Sequence, residues 1–304
     1  MVKTIKQRDW AGPIAVDDSW DSAGVIARHR PYFYFRNEEL YPCDNFGFRV
    51  PDGHVSISDK YQNAKGKRKF FCFGGSTTFG VYLPYNQSYP AYLEKESGVE
   101  VFNFGLMELD INANLYTLID VLREGMRPDV VIFYDGINEK IAMRQAQRGQ
   151  PFQTEFVQYE GFTELVRLTD IKGRLRDRLL RVLGRRPPPP ASVSLDAARA
   201  AGLAQAEEYL AAQRLISDLC QGLGIQCLFF LQPTLWDVWD GANKERGIFL
   251  KTIYQHINSI GTEVIDLSSK VALRADMFYD ICHLDSDGNA AVAKAIASEG
   301  GLLQ

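Results

Sequence analysis

The chain has 304 residues, of which 46% are hydrophobic and 24% charged, and its formal net charge near pH 7 is −4. This mixture is typical of a globular protein and excludes a disordered or fibrous chain. The small acidic excess argues against a protein dedicated to nucleic acid, whose phosphates attract basic surfaces. The length allows one large domain or two ordinary ones with an ample core.

Nothing in the sequence indicates a membrane span, a secretory signal or a disulfide framework. No run of 18 consecutive apolar residues occurs, and residues 1–12 lack the apolar stretch of a signal peptide. A cytoplasmic location is therefore expected, although an N-terminal anchor lost from the sequence would leave no trace in it. The five cysteines lack C-x-x-C spacing and are expected to be buried, unpaired thiols: Cys43, Cys72, Cys220, Cys227 and Cys282.

Residues 1–68 differ in character from the remainder of the chain. They are rich in aromatic and turn residues, and we expect them to form an accessory segment that packs on a core domain of residues 69–304. From residue 69 onward, short β-branched or aromatic runs predict five strands. These runs lie at 70–73, 99–104, 130–134, 225–231 and 264–267.

Helical patterns lie between the predicted strands. Asp285 is expected to cap the last of these helices. Apolar strands that alternate with helices predict an α/β protein of three layers, in which a parallel sheet is covered by helices on both faces. The predicted helices lie at 91–96, 111–124, 197–223, 247–260 and 286–298.

The alternation is interrupted once, between the third and fourth strands, by a basic helical and proline-rich insertion at 140–196. Residues 140–186 hold eleven Lys and Arg against five Asp and Glu, so this stretch carries +6 while the rest of the chain carries −10. Apolar residues at helical spacing predict a helix over 163–183, which ends before the four prolines at 187–190. The insertion is interpreted as a lid, as a contact in a homo-oligomer, or simply as a solvated helix.

Five residues that could take part in catalysis follow the predicted strands or precede the last helix. Ser76 lies in a glycine turn after the first strand, Gly105 follows the second, and Asn138 follows the third. Asp280 and His283 come just before the last helix. Because ligands of open parallel sheets bind at the carboxyl ends of the strands, we expect all five to meet at one edge.

Each of these residue types has a chemical reason to be there. A serine hydroxyl is a weak nucleophile that needs a neighbouring base, a role that suits His283. Asp280 could accept the second imidazole N–H and so fix the tautomer. Backbone N–H groups of Ser76 and Gly105, together with the Asn138 amide, could form an oxyanion hole, in which one donor is typically worth about 2.7–4 kcal/mol of barrier.

These residues and their spacing resemble the SGNH (GDSL-type) esterases, a family named for a serine, a glycine, an asparagine and a histidine. The four correspond to Ser76, Gly105, Asn138 and His283, and Asp280 corresponds to the aspartate of the Asp-x-x-His motif. The resemblance covers residues 69–139 and 262–300. It implies a flavodoxin-like SGNH hydrolase fold with strand order 2-1-3-4-5, ester hydrolysis at the serine, and no metal or organic cofactor.

Two motifs depart from the family pattern. The Gly-Asp-Ser of the family has Gly75 in place of the aspartate, and its Gly-x-Asn-Asp has Glu139 at the last position. The form Gly-Gly-Ser-Thr-Thr-Phe-Gly at 74–80 resembles a bacterial subgroup, so the missing aspartate is not interpreted as a loss of activity. The stretch at 45–49 is similar to the segment that precedes the first motif in that subgroup.

Four further residues are candidates for the substrate pocket because they fall on the same predicted edge: Thr77, Glu139, Gln232 and Trp236. Trp236, like Trp239, either walls the pocket or simply packs, and the sequence favours neither. The turn lacks the motifs of a P-loop or a dinucleotide site, which makes phosphate binding unlikely to be its purpose. The acid lies three residues from the histidine, which disfavours an α/β-hydrolase.

Three functions remain open at this level. The leading prediction is an esterase that removes a short acyl group, such as acetyl, from a glycan or small metabolite through an acyl-enzyme on Ser76. An acyltransferase would use the same intermediate but pass the acyl group to a hydroxyl acceptor. A binding module without catalysis is the third alternative, and the complete set of reactive residues argues against it.

Overall fold

The structure, a computed structural model, describes residues 41–107, 109–139, 194–238, 244–260 and 263–302. The accessory residues 1–40, the predicted helix at 163–183 and Trp239 lie outside these ranges. The proposed role of the insertion in a homo-oligomer therefore stays a prediction, as does the boundary at residue 68. Within the described ranges, no helix is both long and apolar enough to cross a bilayer.

A parallel sheet of five strands forms the centre of the protein, with the strand order β2-β1-β3-β4-β5. This is the 2-1-3-4-5 order of flavodoxin-like folds, so the predicted fold class is confirmed. Every residue of β1 and β3 is buried, as expected for strands that helices cover on both faces. The strands are β1 (Lys69–Gly74), β2 (Glu100–Asn103), β3 (Val130–Asp135), β4 (Gln226–Leu231) and β5 (Val264–Asp266).

Eight α-helices lie within the described ranges, and the five predicted ones are among them with slightly different ends. Asp285 caps the last helix by accepting the N–H of Gly288, as predicted. Short 3-10 turns occur at Tyr85–Gln87, Leu267–Ser269 and Ala275–Met277. The helices are α1 (Ile57–Asn63), α2 (Ser76–Phe79), α3 (Tyr89–Ser97), α4 (Ile111–Arg123), α5 (Leu195–Leu223), α6 (Leu235–Val238), α7 (Lys244–Ser259) and α8 (Ser286–Glu299).

The two faces of the sheet carry separate hydrophobic clusters because successive strand side chains point in opposite directions. Phe71 and Phe73 of β1 pack with α4, α5 and α7, whereas Phe70 and Cys72 pack with α3 and α8. On the first face a row of stacked rings crosses four neighbouring strands close to their carboxyl ends. Adjacent centroids in this row lie 5.2–5.3 Å apart, in the order Phe104, Phe73, Phe133 and Phe229.

The described part of the accessory segment packs on the first of these faces. Phe48 contacts Phe104 edge-on, with ring centroids 5.0 Å apart, and Tyr61 of α1 contacts Phe71 at 6.1 Å. Helix α1 was not predicted, although Ser56 caps it by accepting the N–H of Asp59. Phe48 therefore belongs to the core of the α/β unit, and the partly buried Tyr61 packs against it.

Candidate active site

Ser76, His283 and Asp280 form a continuous chain of hydrogen bonds. The hydroxyl oxygen of Ser76 lies 2.7 Å from Nε2 of His283. On the other side of the imidazole, Nδ1 lies 2.6 Å from Oδ2 of Asp280. A proton on Nδ1 is held by the carboxylate, which leaves Nε2 free to accept the hydroxyl proton. Ser76 and His283 are 207 positions apart in the chain but meet at the carboxyl edge of the sheet.

Local structure holds each member of this chain in place. Ser76 is the first residue of α2, directly after β1, and is only 8% exposed. The loop with Asp280 and His283 is closed by a bond from the N–H of Tyr279 to the carbonyl of His283 at 2.8 Å. Oδ1 of Asp280 accepts the backbone N–H groups of Cys282 and His283, both at 2.9 Å. The carboxylate is therefore oriented before any substrate binds.

The surroundings keep Asp280 ionised. Burial alone would raise its pKa, but the hydrogen bond and charge of His283, together with two backbone N–H groups, lower the pKa to about 2. Burial lowers the pKa of His283, yet the neighbouring Cys282 and Asp280 outweigh this effect and raise the pKa above its ordinary value. The pair is thus suited to stabilise the imidazolium that forms when His283 takes up a proton.

The amide of Asn138 lies against the serine turn. A Cβ atom added to Gly75 would lie 2.1 Å from Nδ2 of Asn138, so only glycine permits this approach. One N–H of the amide donates to the carbonyl of Leu109 at 2.9 Å, which fixes the plane of the group. Its second N–H is the one that could face a substrate oxygen near Ser76.

Gly105 also packs against this turn, but its N–H is already in use. It donates to Oδ1 of Asn103 at 2.9 Å. A Cβ at Gly105 would lie 2.4 Å from the backbone nitrogen of Phe79 and 2.7 Å from the carbonyl carbon of Thr78. Gly105 is therefore required for close packing behind α2, and a role as oxyanion donor would require its bond to Asn103 to open.

Three of the pocket candidates make contacts that are visible in the structure. Thr77 donates from its hydroxyl to Oε1 of Gln232 at 3.2 Å, and both side chains are buried. Nε2 of Gln232 is buried without a hydrogen-bond partner. Trp236 packs on the core cluster beside Gly247 of α7. Thr77 and Gln232 thus form a buried contact next to Ser76, while Trp236 packs on the core.

The fourth candidate, Glu139, is fully buried and has a different environment from that of a pocket residue. Its Oε1 accepts the N–H of Ile111 at 2.9 Å, and its Oε2 accepts Nε2 of Gln205 at 3.3 Å. Burial, with the nearby charges of Asp110 and Asp135, raises its pKa well above the ordinary value. The side chain connects the loop after β3 to α4 and α5 instead of lining a cleft.

Asp135, at the end of β3, is a second buried carboxyl close to Glu139. Its Oδ1 accepts Nδ2 of Asn114 at 2.7 Å, while Oδ2 has no hydrogen-bond partner. Burial and the charge of Asp110 raise its pKa well above the ordinary value, although the bond from Asn114 opposes this rise. These two carboxyl groups therefore favour the protonated form.

Sequence reasoning missed two residues that touch the site region. Tyr82 stands edge-on to the ring of His283, with centroids 5.3 Å apart, and Arg49 donates hydrogen bonds to the carbonyl groups at the end of α2. The similarity of 45–49 to a subgroup segment was the one available signal for Arg49. No local pattern pointed to Tyr82, because its contact spans some two hundred residues.

Asp280, Cys282 and His283 also bring potential metal ligands within 4.8 Å of one another. Nδ1 of His283 already bonds Oδ2 of Asp280, and Nε2 bonds Ser76. A metal ion would have to break one of these bonds. The donor set is therefore better suited to an acid, an imidazole and a hydroxyl acting together than to a resident cation.

No protein-family model and no curated protein matches the chain. Among solved structures, the acetyl xylan esterase AlAXEase is 17% identical with a TM-score of 0.45, and the match covers 76% of this chain and 98% of that one. For Axe2, an acetylxylan esterase from Geobacillus stearothermophilus, the identity is 17%, the TM-score 0.43, and the coverage 79% and 97%. A member of the lipolytic protein G-D-S-L family from Veillonella parvula DSM 2008 is 12% identical, with a TM-score of 0.44 and coverage of 76% and 97%. These similarities are too low to assign a chemistry to the site.

Proposed function

We propose that this protein is an SGNH-type serine hydrolase that cleaves a carboxylic ester through an acyl-enzyme on Ser76. The observation that carries the proposal is the bonded chain from Ser76 through His283 to Asp280, with distances of 2.7 and 2.6 Å. Binding alone would require no such chain, which disfavours the binding module. The Asn138 amide beside Gly75 further supports the proposal, because a hydrolytic site needs a donor there.

In the proposed acylation step, Oγ of Ser76 attacks the ester carbonyl while Nε2 of His283 takes the hydroxyl proton. The carbonyl oxygen gains the negative charge and is stabilised by the N–H of Ser76 and the Asn138 amide, with Gly105 as a third donor once its bond to Asn103 opens. The carbon–oxygen bond to the alcohol then breaks, and His283 returns the proton to the leaving alkoxide. Asp280 stabilises the imidazolium throughout.

In deacylation, His283 removes a proton from water, and the resulting attack on the acyl carbon releases the acid and restores the serine. A sugar or other hydroxyl acceptor in place of water would give acyl transfer from the same intermediate. Because Ser76 and Asn138 are only 8% and 7% exposed, the site favours a short acyl group such as acetyl. We propose a glycan or small metabolite as the alcohol part.

The first experiment compares hydrolysis of p-nitrophenyl esters of two to eight carbons by the wild type, Ser76→Ala and Ser97→Ala. Ser97 is the control because its hydroxyl donates to the Leu93 carbonyl on α3, outside the triad. We expect a loss of at least about 10³-fold in kcat for Ser76→Ala and no change for Ser97→Ala. Equal rates for the wild type and Ser76→Ala would refute the proposal.

Two further readouts refine the assignment. Because the pKa of His283 is raised, the neutral imidazole becomes more abundant as pH rises, so the rate should increase on the alkaline side of neutrality. Mass spectrometry of products formed with acetylated sugars and free acceptors separates hydrolysis from transfer. An acylated acceptor that forms faster than free acid would indicate a transferase.

A further inference from the structure

Two side chains from the N-terminal part of the chain reach the turn that contains α2. Tyr41, which is fully buried, accepts the backbone N–H of Tyr82 on its phenol oxygen at 2.8 Å. Arg49, also fully buried, donates from Nη1 to the carbonyl oxygens of Phe79 and Gly80, at 3.1 and 2.9 Å. Neither side chain belongs to the triad, yet both fix the segment that follows the serine.

The contact of Arg49 compensates for the shortness of α2. This helix has four residues, so its last carbonyl groups cannot all find partners within it, and a cation at a helix C-terminus is favourable. Nε and Nη2 of Arg49 are buried without hydrogen-bond partners. Burial of a guanidinium with unpaired N–H groups is costly. The rings of Tyr41, Phe79 and Tyr85 surround the guanidinium, with centroids 5.0, 5.4 and 5.8 Å from Cζ, and offset part of this cost. The hydrogen bonds that the side chain does make go to the end of α2, so they tie this turn to the N-terminal segment.

The contact of Tyr41 holds Tyr82 in an unfavourable backbone conformation. Tyr82 has φ of 69° and is the one residue besides glycine with positive φ in the described part of the chain. Side chains with a Cβ atom rarely adopt this region. In this conformation the Tyr82 ring stands at 86° to the imidazole of His283. The hydrogen bond from Tyr82 to Tyr41 thus fixes the ring that packs against the histidine.

We propose that Tyr41 and Arg49 are positioning residues for the hydrolytic site. Arg49 fixes the turn that carries Ser76, and Tyr41 fixes Tyr82 against His283. The inference rests on the proposed function, because only a reacting serine needs this alignment. Since neither residue touches the reacting atoms, their loss lowers the turnover rate more than the affinity for substrate.

The chain offers controls with the same kinds of bond at more exposed positions, at the opposite end of the sheet. Tyr61 accepts a backbone N–H, that of Arg127, on its phenol oxygen at 2.9 Å. Arg127, three residues before β3, donates from Nη1 to the carbonyl groups of Leu122 and Met126. Tyr61→Phe and Arg127→Lys therefore remove the same kinds of bond as Tyr41→Phe and Arg49→Lys, but away from the serine.

The experiment measures kcat and KM for p-nitrophenyl acetate, the rate of labelling by a serine-directed phosphonate, and the melting temperature. It compares the wild type with these four variants and with Arg49→Met. For Tyr41→Phe and Arg49→Lys we expect kcat and the labelling rate to fall about tenfold or more, with KM within about twofold of wild type. Both control variants should keep the wild-type kcat. Arg49→Met, which retains no cation, should lose more activity than Arg49→Lys.

Several results would overturn the inference. One is a wild-type kcat in folded Tyr41→Phe and Arg49→Lys, and another is a loss no larger than in the two controls. If Arg49→Lys fails to fold, the result for Tyr41→Phe tests the inference, because this substitution removes only one oxygen atom and keeps the ring. A wild type that neither hydrolyses the ester nor is labelled would refute the proposed function itself, and this inference with it.

Discussion

At the carboxyl edge of the sheet, the pKa of Asp280 is shifted in the opposite direction from the pKa values of Asp135 and Glu139. Asp280 is partly buried, but the bonds from His283 and two backbone N–H groups outweigh burial and lower its pKa to about 2. Asp135 and Glu139 are also buried, and their amide and single backbone partners do not offset burial, so their pKa values rise well above the ordinary range. The difference shows that the depth of burial and the hydrogen-bond partners together, and not residue type, decide which carboxyl is charged.

The difference in charge suits Asp280 and Glu139 to different functions. An ionised Asp280 can orient His283 and stabilise the imidazolium that forms when the serine gives up its proton. A neutral Glu139 can instead connect the loop after β3 to Ile111 of α4 and Gln205 of α5 without placing a charge in the core. In the proposed mechanism Asp280 acts on the chemistry, whereas Glu139 supports the loop that carries Asn138.

The largest effect is expected from Asp280→Asn, which keeps the shape of the side chain but removes its charge. The amide cannot stabilise the imidazolium, and it favours the wrong tautomer of His283. We expect kcat/KM for p-nitrophenyl acetate to fall about 10⁴-fold, while the protein stays folded. The measurement is a steady-state assay with a denaturation curve for each variant.

Asp276→Asn is the matched control for this substitution. Asp276 lies in the same loop region, is largely exposed, and bonds Arg274 at 3.0 Å. Its kcat/KM should equal that of the wild type. If Asp280→Asn lost no more activity than Asp276→Asn, the charged carboxylate would have no part in catalysis and the comparison between the two groups would fail.

A smaller effect is expected at Glu139, where the outcome depends on the replacement. Glu139→Ala leaves the buried N–H of Ile111 without its acceptor and Gln205 without its partner, and each unsatisfied group costs about 1–3 kcal/mol. Glu139→Gln keeps an acceptor for the N–H of Ile111. The side-chain amide of Gln205 can rotate so that its carbonyl oxygen accepts from the new NH₂ group. We therefore expect chemical denaturation to show a clear loss for Ala and a much smaller one for Gln.

Glu96→Ala, at an exposed position of α3, is the control for Glu139→Ala. Its free energy of unfolding should lie within about 0.5 kcal/mol of wild type. Equal losses for Glu139→Gln and Glu139→Ala would contradict the interpretation of Glu139 as a neutral group, because they would show that its charge is what matters.

The sheet and the triad could be predicted from sequence because they depend on local signals. Strand runs, helix patterns and the rule that sites lie at the carboxyl ends of strands placed Ser76 and His283 on one edge despite their 207-residue separation. No comparable pattern in the sequence tells whether the side chain of a loop residue points towards the pocket or into the core. Glu139 was therefore assigned to the pocket, although it points into the core.

The N-terminal contacts could not be predicted for a related reason. Helix α1 did have a start signal, since Ser56 is followed three residues later by Asp59. The turn residues around it, however, favoured a prediction of loop. The bonds of Tyr41 and Arg49 join residues that lie at least thirty positions apart. Such bonds depend on how the segment packs, which no periodicity in the sequence encodes.

The last prediction concerns the pH dependence of stability. Because the pKa values of Asp135 and Glu139 are raised in the folded state, that state holds protons which the unfolded chain has released above about pH 4. The free energy of unfolding therefore falls as pH rises from about 4 towards the folded pKa values, by up to ~1.4 kcal/mol per pH unit for each carboxyl. Asp280 acts in the opposite direction, since the stability it contributes is present above about pH 4 and is lost as pH falls towards about 2.

Amide replacements separate these two contributions. Asp135→Asn combined with Glu139→Gln removes both neutral carboxyl groups, so the decline of stability with rising pH should flatten. Between about pH 4 and pH 6, where His283 is protonated in both the folded and the unfolded chain, Asp280→Asn should leave that decline intact and remove only the loss below about pH 4. Denaturation curves from pH 3 to pH 6 measure all three slopes in a range where His283 does not titrate in either state. A double variant with the slope of the wild type would show that both carboxyl groups are ionised in the folded protein, because a group that ionises equally in both states contributes no slope.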